Sequence, residues 1–456
     1  VSDISLASSH ASRNAAEPAR AGWGSRAGFV LAAAGSAVGL GAVWKFPYVV
    51  GKHGGGAFLL VYLASVFTLG LALLLAEMTI GRLTGRSATT AFRMLGGRAW
   101  AWAGRISALN AFLILAFYCV VGGWTIAYLL RSITGEALVA DTARLHSQFN
   151  TFIADPWEAL AFAGLFLVAT AVVVIGGVQK GIERAGKILM PALFVLMLMV
   201  IARSLTLPGA MDGVAYFLMP DFAQLSGESL LQALGLAFFS LSLGAGIIIA
   251  YGSYLPKDAP LVSSCVWVGS MATLACLLAG LMVLPAVFAF GLPPDAGPGL
   301  TFIAMPAIFA QMPFGHAVAI AFFLLLLFAA LTSSVSLLEP VVAFLIDEYA
   351  WPRRRAVVVV AIATFVAGIP AALSFGAWKD VEVFGRSLFD IMDYTAMNIG
   401  MPLGGLFVAA LVSWRIWPQA RTVLGGMRAR WLVPTWRGMC LVLTPIAVLA
   451  IWYQNL

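Results

Sequence analysis

The chain has 456 residues, of which 61% are hydrophobic and 10% charged, with a mean hydropathy of +0.96 and a formal net charge of +7. A soluble domain carries about 25% charged residues, so this composition excludes a soluble globular protein and describes an integral membrane protein. The basic balance fits loops that face anionic membrane lipid, and nothing in it asks for a nucleic-acid partner.

In chain order, residues 1–22 are polar, rich in alanine and serine, and lack the apolar stretch of a signal peptide; they read as a cytoplasmic tail. Apolar spans follow at 27–50, 57–80, 106–132, 157–176, 187–205, 229–254, 262–290, 316–346, 356–374, 389–414 and 438–454. A helix needs ~20 such residues to cross a bilayer, so these predict an all-α protein of eleven transmembrane helices, numbered here spans 1 to 11. The outer loop 133–156 is the longest and has room for a short helix. With the N-terminus inside, 20 of the 27 Lys and Arg residues fall on inner segments, which puts the C-terminus outside.

Two spans are interrupted. Gly35-Ser-Ala-Val-Gly-Leu-Gly41 places three glycines in span 1, each costing roughly 1 kcal/mol relative to alanine in a helix interior. Ser240-Leu-Ser-Leu-Gly-Ala-Gly246 does the same in span 6. Backbone freed at such a break survives in a membrane only where protein, water or a ligand satisfies it, and paired breaks point to a transporter's central site. Each break opens a block of five spans, and an odd number inverts the second block. The chain divides into a tail (1–22), a first repeat (23–206), a second repeat (207–416), and a basic cytoplasmic loop with helix 11 (417–456).

The four cysteines lie in apolar spans without CxxC spacing, and neither HExxH nor GxSxG occurs, which leaves hydrolytic and metalloenzyme chemistry without a motif.

Read together, Trp23, Gly35–Gly41, Trp44-Lys-Phe-Pro47, Gly54-Gly-Gly-Ala-Phe58, Glu77 ahead of Gly81-Arg82, Phe239-Ser-Leu-Ser-Leu-Gly244, Leu331-Thr-Ser-Ser334 and Asp393 resemble the neurotransmitter:sodium symporters. The likeness runs over nearly the whole chain and is to the bacterial amino-acid branch. It implies a leucine-transporter-type inverted-repeat fold, location in a bacterial inner membrane, and sodium-coupled amino-acid symport without an enzymatic step or organic cofactor.

The resemblance assigns sites residue by residue. Carbonyls of Gly35, Val38 and Ala329 with the hydroxyls of Thr332 and Ser333 form the second sodium site. Taken alone, a Thr-Ser-Ser run reads as hydroxyls bonded back to their own helix. At the first sodium site the family's two asparagines are replaced by Ala42 and, aligning on Pro285, by Met271, which predicts a single sodium. At the chloride position Tyr62 and Ser240 persist, but Leu236 and Ala275 replace polar residues, which predicts no chloride requirement.

For substrate, the amides of Leu40 and Gly41 and the Tyr118 hydroxyl receive a carboxylate. The carbonyls of Ala37, Phe239 and Ser240, with Ser242, receive an ammonium. Gly39 stands where amine-transporting members carry aspartate, which favours a zwitterionic amino acid. Ile114, Tyr118, Phe239, Ser242, Ala245, Ser333 and Leu337 surround its side chain, and Ala245 in place of a phenylalanine leaves room for Leu, Met, Phe or Trp. Lys45 and Asp393 resemble an outer ion-pair gate above Tyr118 and Phe239; Arg20 and Asp347, with Trp23 and Tyr254, resemble the inner gate. Gly181 and Pro191 match a pattern that lets span 5 unwind. Glu77 or Glu339 leaves open the alternative of a proton-coupled carrier, and a sensor that binds without transporting is a separate alternative.

Overall fold

The structure, a computed structural model, describes residues 22–293, 299–424 and 431–455. Without water to serve them, backbone groups inside a membrane must pair within their own helix. Helices accordingly dominate the described residues, and strands are confined to a hairpin of Glu382–Val383 against Arg386–Ser387.

Nine described helices are long and apolar enough to cross a membrane: Gly56–Thr84, Arg98–Thr134, Pro156–Ile175, Val178–Leu205, Leu261–Ala289, Gly315–Tyr349, Arg353–Leu373, Leu388–Arg415 and Leu432–Tyr453. They occupy the positions of spans 2–5 and 7–11. Span 1 is the pair Arg26–Ala37 and Gly41–Lys52, bent by 49°. Span 6 is two short helices, Gly227–Ser240 and Ile247–Gly252, either side of residues 241–246.

Both breaks are narrower than the glycine pattern suggests. Gly35 and Ser36 remain helical, and the chain departs only at Val38 and Gly39. At Gly35 the missing side chain serves close approach instead: a Cβ there would lie 3.2 Å from Thr332 Cβ and 3.3 Å from Met190 Sδ. The second break is sharper. Ser242, Gly244 and Gly246 all have positive φ, at 56°, 82° and 72°. A left-handed serine costs roughly 1–2 kcal/mol, and such strain persists where surrounding structure holds it.

Span 1 packs among spans 5, 7 and 8, and the second half of span 6 packs on span 2. The buried share is 78% in span 3 and 33% in spans 4 and 5, so span 3 is central and the other two are peripheral. The loop after span 3 holds the helix Thr142–Ala154, capped by the Asp141 carboxylate, which accepts from the amides of Ala143 and Arg144. Span 5 starts as a π-helical turn, Val178–Glu183, and continues as an α-helix with Pro191 inside it, not at its start. Proline cannot donate to the carbonyl four residues back, at Lys187, so this stretch of span 5 is weakened twice.

Candidate functional site

The two breaks face each other across a cavity of about 40 Å³. Its wall contains every residue anticipated around the substrate except Leu40 and Ser240, and it adds Ser36, Ile247 and Met401. Leu40 stands behind the wall, where its amide donates to the Tyr118 hydroxyl at 3.2 Å. Ser240 turns away from the cavity, and its hydroxyl accepts from the Tyr62 hydroxyl at 2.8 Å.

Glycine is required at two points of the wall. A Cβ at Gly39 would fall 2.1 Å from Ser333 Oγ and 3.0 Å from the Tyr118 hydroxyl. An aspartate cannot stand there without displacing both. A Cβ at Gly41 would fall 2.2 Å from the Phe239 ring, which lies directly on the backbone of the first break.

Ser36, which sequence reasoning passed over, is the hub of the oxygen network. Its carbonyl accepts from Ser333 Oγ at 2.9 Å and from Ser242 Oγ at 3.0 Å, and its hydroxyl donates to Ser242 Oγ at 3.1 Å. Ser333 Oγ also lies 3.3 Å from the Gly35 carbonyl. Thr332 Oγ1 donates to the Ala329 carbonyl at 3.0 Å and to Phe328 at 3.1 Å. The hydroxyls therefore sit within one hydrogen bond of two of the carbonyls assigned to sodium. Among the described residues no group of His, Cys, Asp or Glu could hold a metal ion, so any cation at this place meets neutral oxygens. A void of about 10 Å³ adjoins Thr332 and Gly35, bounded by Ile182, Gly186 and Tyr251.

The predicted chloride position needs a correction. The span-7 residue facing Tyr62 is Cys276, with Sγ 3.2 Å from the Tyr62 hydroxyl, and not Ala275. One turn earlier on that helix, Ala272 and Thr273 are both buried, at 1% and 5% exposure. Alignment on Pro285 slipped by one because span 7 is apolar on every side and carries no internal marker. The substance is unchanged: none of these residues supplies an amide or carboxylate oxygen.

The gates differ from their sequence picture. Among the described residues no ion pair within 4.0 Å joins Lys45 to Asp393; the Lys45 ammonium stands 5.3 Å from the centroid of the Phe239 ring. A cation over an aromatic face is held by the ring quadrupole, and a lysine lacks the bidentate fork that would fix it on the carboxylate. At the opposite face, Arg20 lies outside the described residues. Trp23 is anchored there by its indole N–H to the Tyr251 carbonyl (3.0 Å) and by its amide to the Tyr254 carbonyl (3.2 Å). Asp347 accepts from the Ser87 amide at 2.6 Å and lies 3.7 Å from Arg86.

The two candidate proton carriers are unlike. Glu339 is fully buried but paired with Arg353 (2.5 and 3.1 Å), and it accepts from the Tyr254 hydroxyl at 2.6 Å. Glu77 is equally buried and accepts from the Gly244 amide at 2.6 Å, tying span 2 to the second break. The backbone of Ile249, in the second half of span 6, also faces this carboxylate.

The chain has relatives among known proteins. The chain is 40% identical to the sodium-dependent transporter YhdH of Bacillus subtilis (strain 168), over 94% of this chain and 96% of that one. It is 35% identical to a sodium-dependent transporter of Haemophilus influenzae, over 95% and 98% respectively. Human sodium- and chloride-dependent GABA transporter 2 is 28% identical, over 86% of this chain and 72% of that one. The crystal structure of MhsT in complex with L-phenylalanine superposes with a TM-score of 0.89 at 42% identity, covering 96% of this chain and all of that one. The fold is therefore that of the inverted-repeat transporters. The model of the Sodium:neurotransmitter symporter family matches residues 20–151 and 154–456, and the chain belongs to that family of multi-pass membrane transporters, which are not enzymes.

Proposed function

We propose that this protein imports a hydrophobic or aromatic α-amino acid together with one sodium ion, bound at the second sodium site. The observation that carries the reading is the meeting of the Gly35 and Ser36 carbonyls with the Ser333 hydroxyl at the wall of a mainly apolar cavity, next to Thr332 in the chain. A ligand that brings its own carboxylate and ammonium suits a cavity whose polar groups are neutral. Its side chain would lie among Ile114, Ala245 and Leu337. The phenylalanine bound in MhsT supports this class of ligand.

In this reading sodium holds span 1 against span 8, and substrate draws Phe239 and Tyr118 over the cavity beneath Lys45 and Asp393. Release around Trp23, Tyr254 and Asp347 then opens the cytoplasmic side. The thin void beside Thr332 and the π-helical start of span 5 offer sodium its way out. The site, shared by the repeats 23–206 and 207–416, is open to one side of the membrane at a time, and membrane potential adds ~2.3 kcal/mol per charge per 100 mV. Neither chloride nor an organic cofactor takes part.

The test is uptake of a labelled amino-acid panel into proteoliposomes under imposed sodium or proton gradients. Sodium-driven accumulation with a Hill coefficient near one supports the proposal. A coefficient near two would require a second ion away from Thr332 and Ser333. Accumulation driven by protons alone would move the coupling to Glu77 or Glu339. Sodium-dependent binding without accumulation would make the protein a sensor.

A further inference from the structure

Ala245 gives the second break a methyl group where a large side chain could stand, and span 10 supplies what the break does not. Met401 is 3% exposed and belongs to the cavity wall. It also belongs to the wall of a vestibule of about 60 Å³ beside Lys45, Gln232 and Asn398. Among the described residues only Met401 and Phe239 line both spaces, so these two form the partition between them.

Two glycines explain how span 10 comes so close. A Cβ on Gly244 would lie 2.0 Å from the Met401 carbonyl and 2.9 Å from the Gly405 amide, and one on Gly404 would lie 1.9 Å from the Gly244 carbonyl. The backbone of span 10 therefore touches the backbone of the second break with no side chain between them. A π-helical turn, Thr395–Gly400, ends immediately before Met401 and sets its angle to the cavity.

We propose that Met401 is a specificity-determining residue that fills the space left by Ala245 and adjusts that space to the substrate's side chain. A thioether with three rotatable bonds conforms to irregular volumes at little cost. The methionine swings toward the cavity around an aliphatic substrate and toward the vestibule around an aromatic one, with Phe239 as the fixed half of the partition. The inference rests on the amino-acid reading above and adds the residue that sets its size range.

The experiment measures competition by unlabelled leucine and tryptophan for a labelled hydrophobic amino acid, on full-length protein in detergent with sodium. Wild type is compared with Met401→Ala, Ala245→Met and the double variant. Met401→Ala is expected to raise the tryptophan-to-leucine affinity ratio about tenfold, the scale of removing a hydrophobic group from a binding pocket. Ala245→Met is expected to lower the ratio, and adding Met401→Ala to it to bring the ratio back toward wild type.

An unchanged ratio in Met401→Ala, including equal losses for both ligands, would overturn the proposal. If that variant does not fold, a double variant no closer to wild type than Ala245→Met alone would overturn it equally. Wild-type protein that binds no amino acid of the panel would remove the amino-acid reading itself, and this inference with it.

Discussion

Glu183, at the end of the π-helical turn of span 5, accepts a 2.6 Å hydrogen bond from the Gly24 amide at the start of span 1. Its other oxygen accepts from the Ser25 hydroxyl at 2.8 Å, and Lys187 pairs with it at 2.7 Å. The carboxylate fits because Gly28 has no side chain; a Cβ there would lie 2.2 Å from Glu183 Oε1. A negative group at a helix N-terminus is also favoured by the helix dipole.

Loss of this contact should loosen the start of span 1 and the π-helical turn together. Hydrogen bonds to charged groups contribute about 1.5–3 kcal/mol. Glu183→Gln is therefore expected to speed amide exchange in residues 22–30 and 178–186 by about tenfold or more. Gly28→Ala should produce the same pattern by expelling the carboxylate. Exchange that rises in one segment and not the other would refute the coupling.

Thr332→Val keeps the shape of the side chain and removes its oxygen. On the proposed site it should weaken sodium-dependent substrate binding at least tenfold, with most of the loss recovered at high sodium concentration. Ser333→Ala should be at least as severe, because Ser333 Oγ also reaches the Gly35 and Ser36 carbonyls. A sodium titration of substrate binding checks both.

Glu339 is fully buried and its partner Arg353 is 23% exposed, so the two halves of this pair are not equivalent. Removing one partner of such a pair costs about 3–5 kcal/mol, because the other charge is left buried without compensation. Arg353→Met should lower the detergent Tm markedly, and Arg353→Met with Glu339→Leu should recover much of the loss. A double variant no better than the single would mean that Glu339 has found another cation.

Tyr62, Ser240 and Cys276 form a closed neutral cluster at the position that the family resemblance assigns to chloride. Replacing chloride by gluconate on both sides of the membrane should leave sodium-driven uptake unchanged. Cys276→Glu, which adds a fixed negative charge, should impair uptake. A chloride requirement in the wild type would show that the cluster opens to admit an anion.

Much of this was legible in the residues themselves. Runs of ~20 apolar residues announce membrane helices. Glycines and hydroxyls inside two of them mark the breaks, because their backbone costs are local. Most of the cavity wall could be named in the same way, since it consists of the breaks and the residues of spans 3 and 8 beside them.

What tertiary structure decided lies elsewhere. In a helix that is apolar all round, each residue turns the face by about 100°. A slip of one residue thus puts Ala275 where Cys276 stands, and no local signal corrects it. The seating of Met401 at the cavity depends on span 10 meeting Gly244 from more than 150 positions away in the chain. The Glu183–Gly24 bond, the Glu339–Arg353 pair and the resting place of Lys45 over Phe239 are likewise set by which helices become neighbours. Composition and periodicity determine that helices form and where they break; the side chains that meet across them are chosen by packing, which no single span encodes.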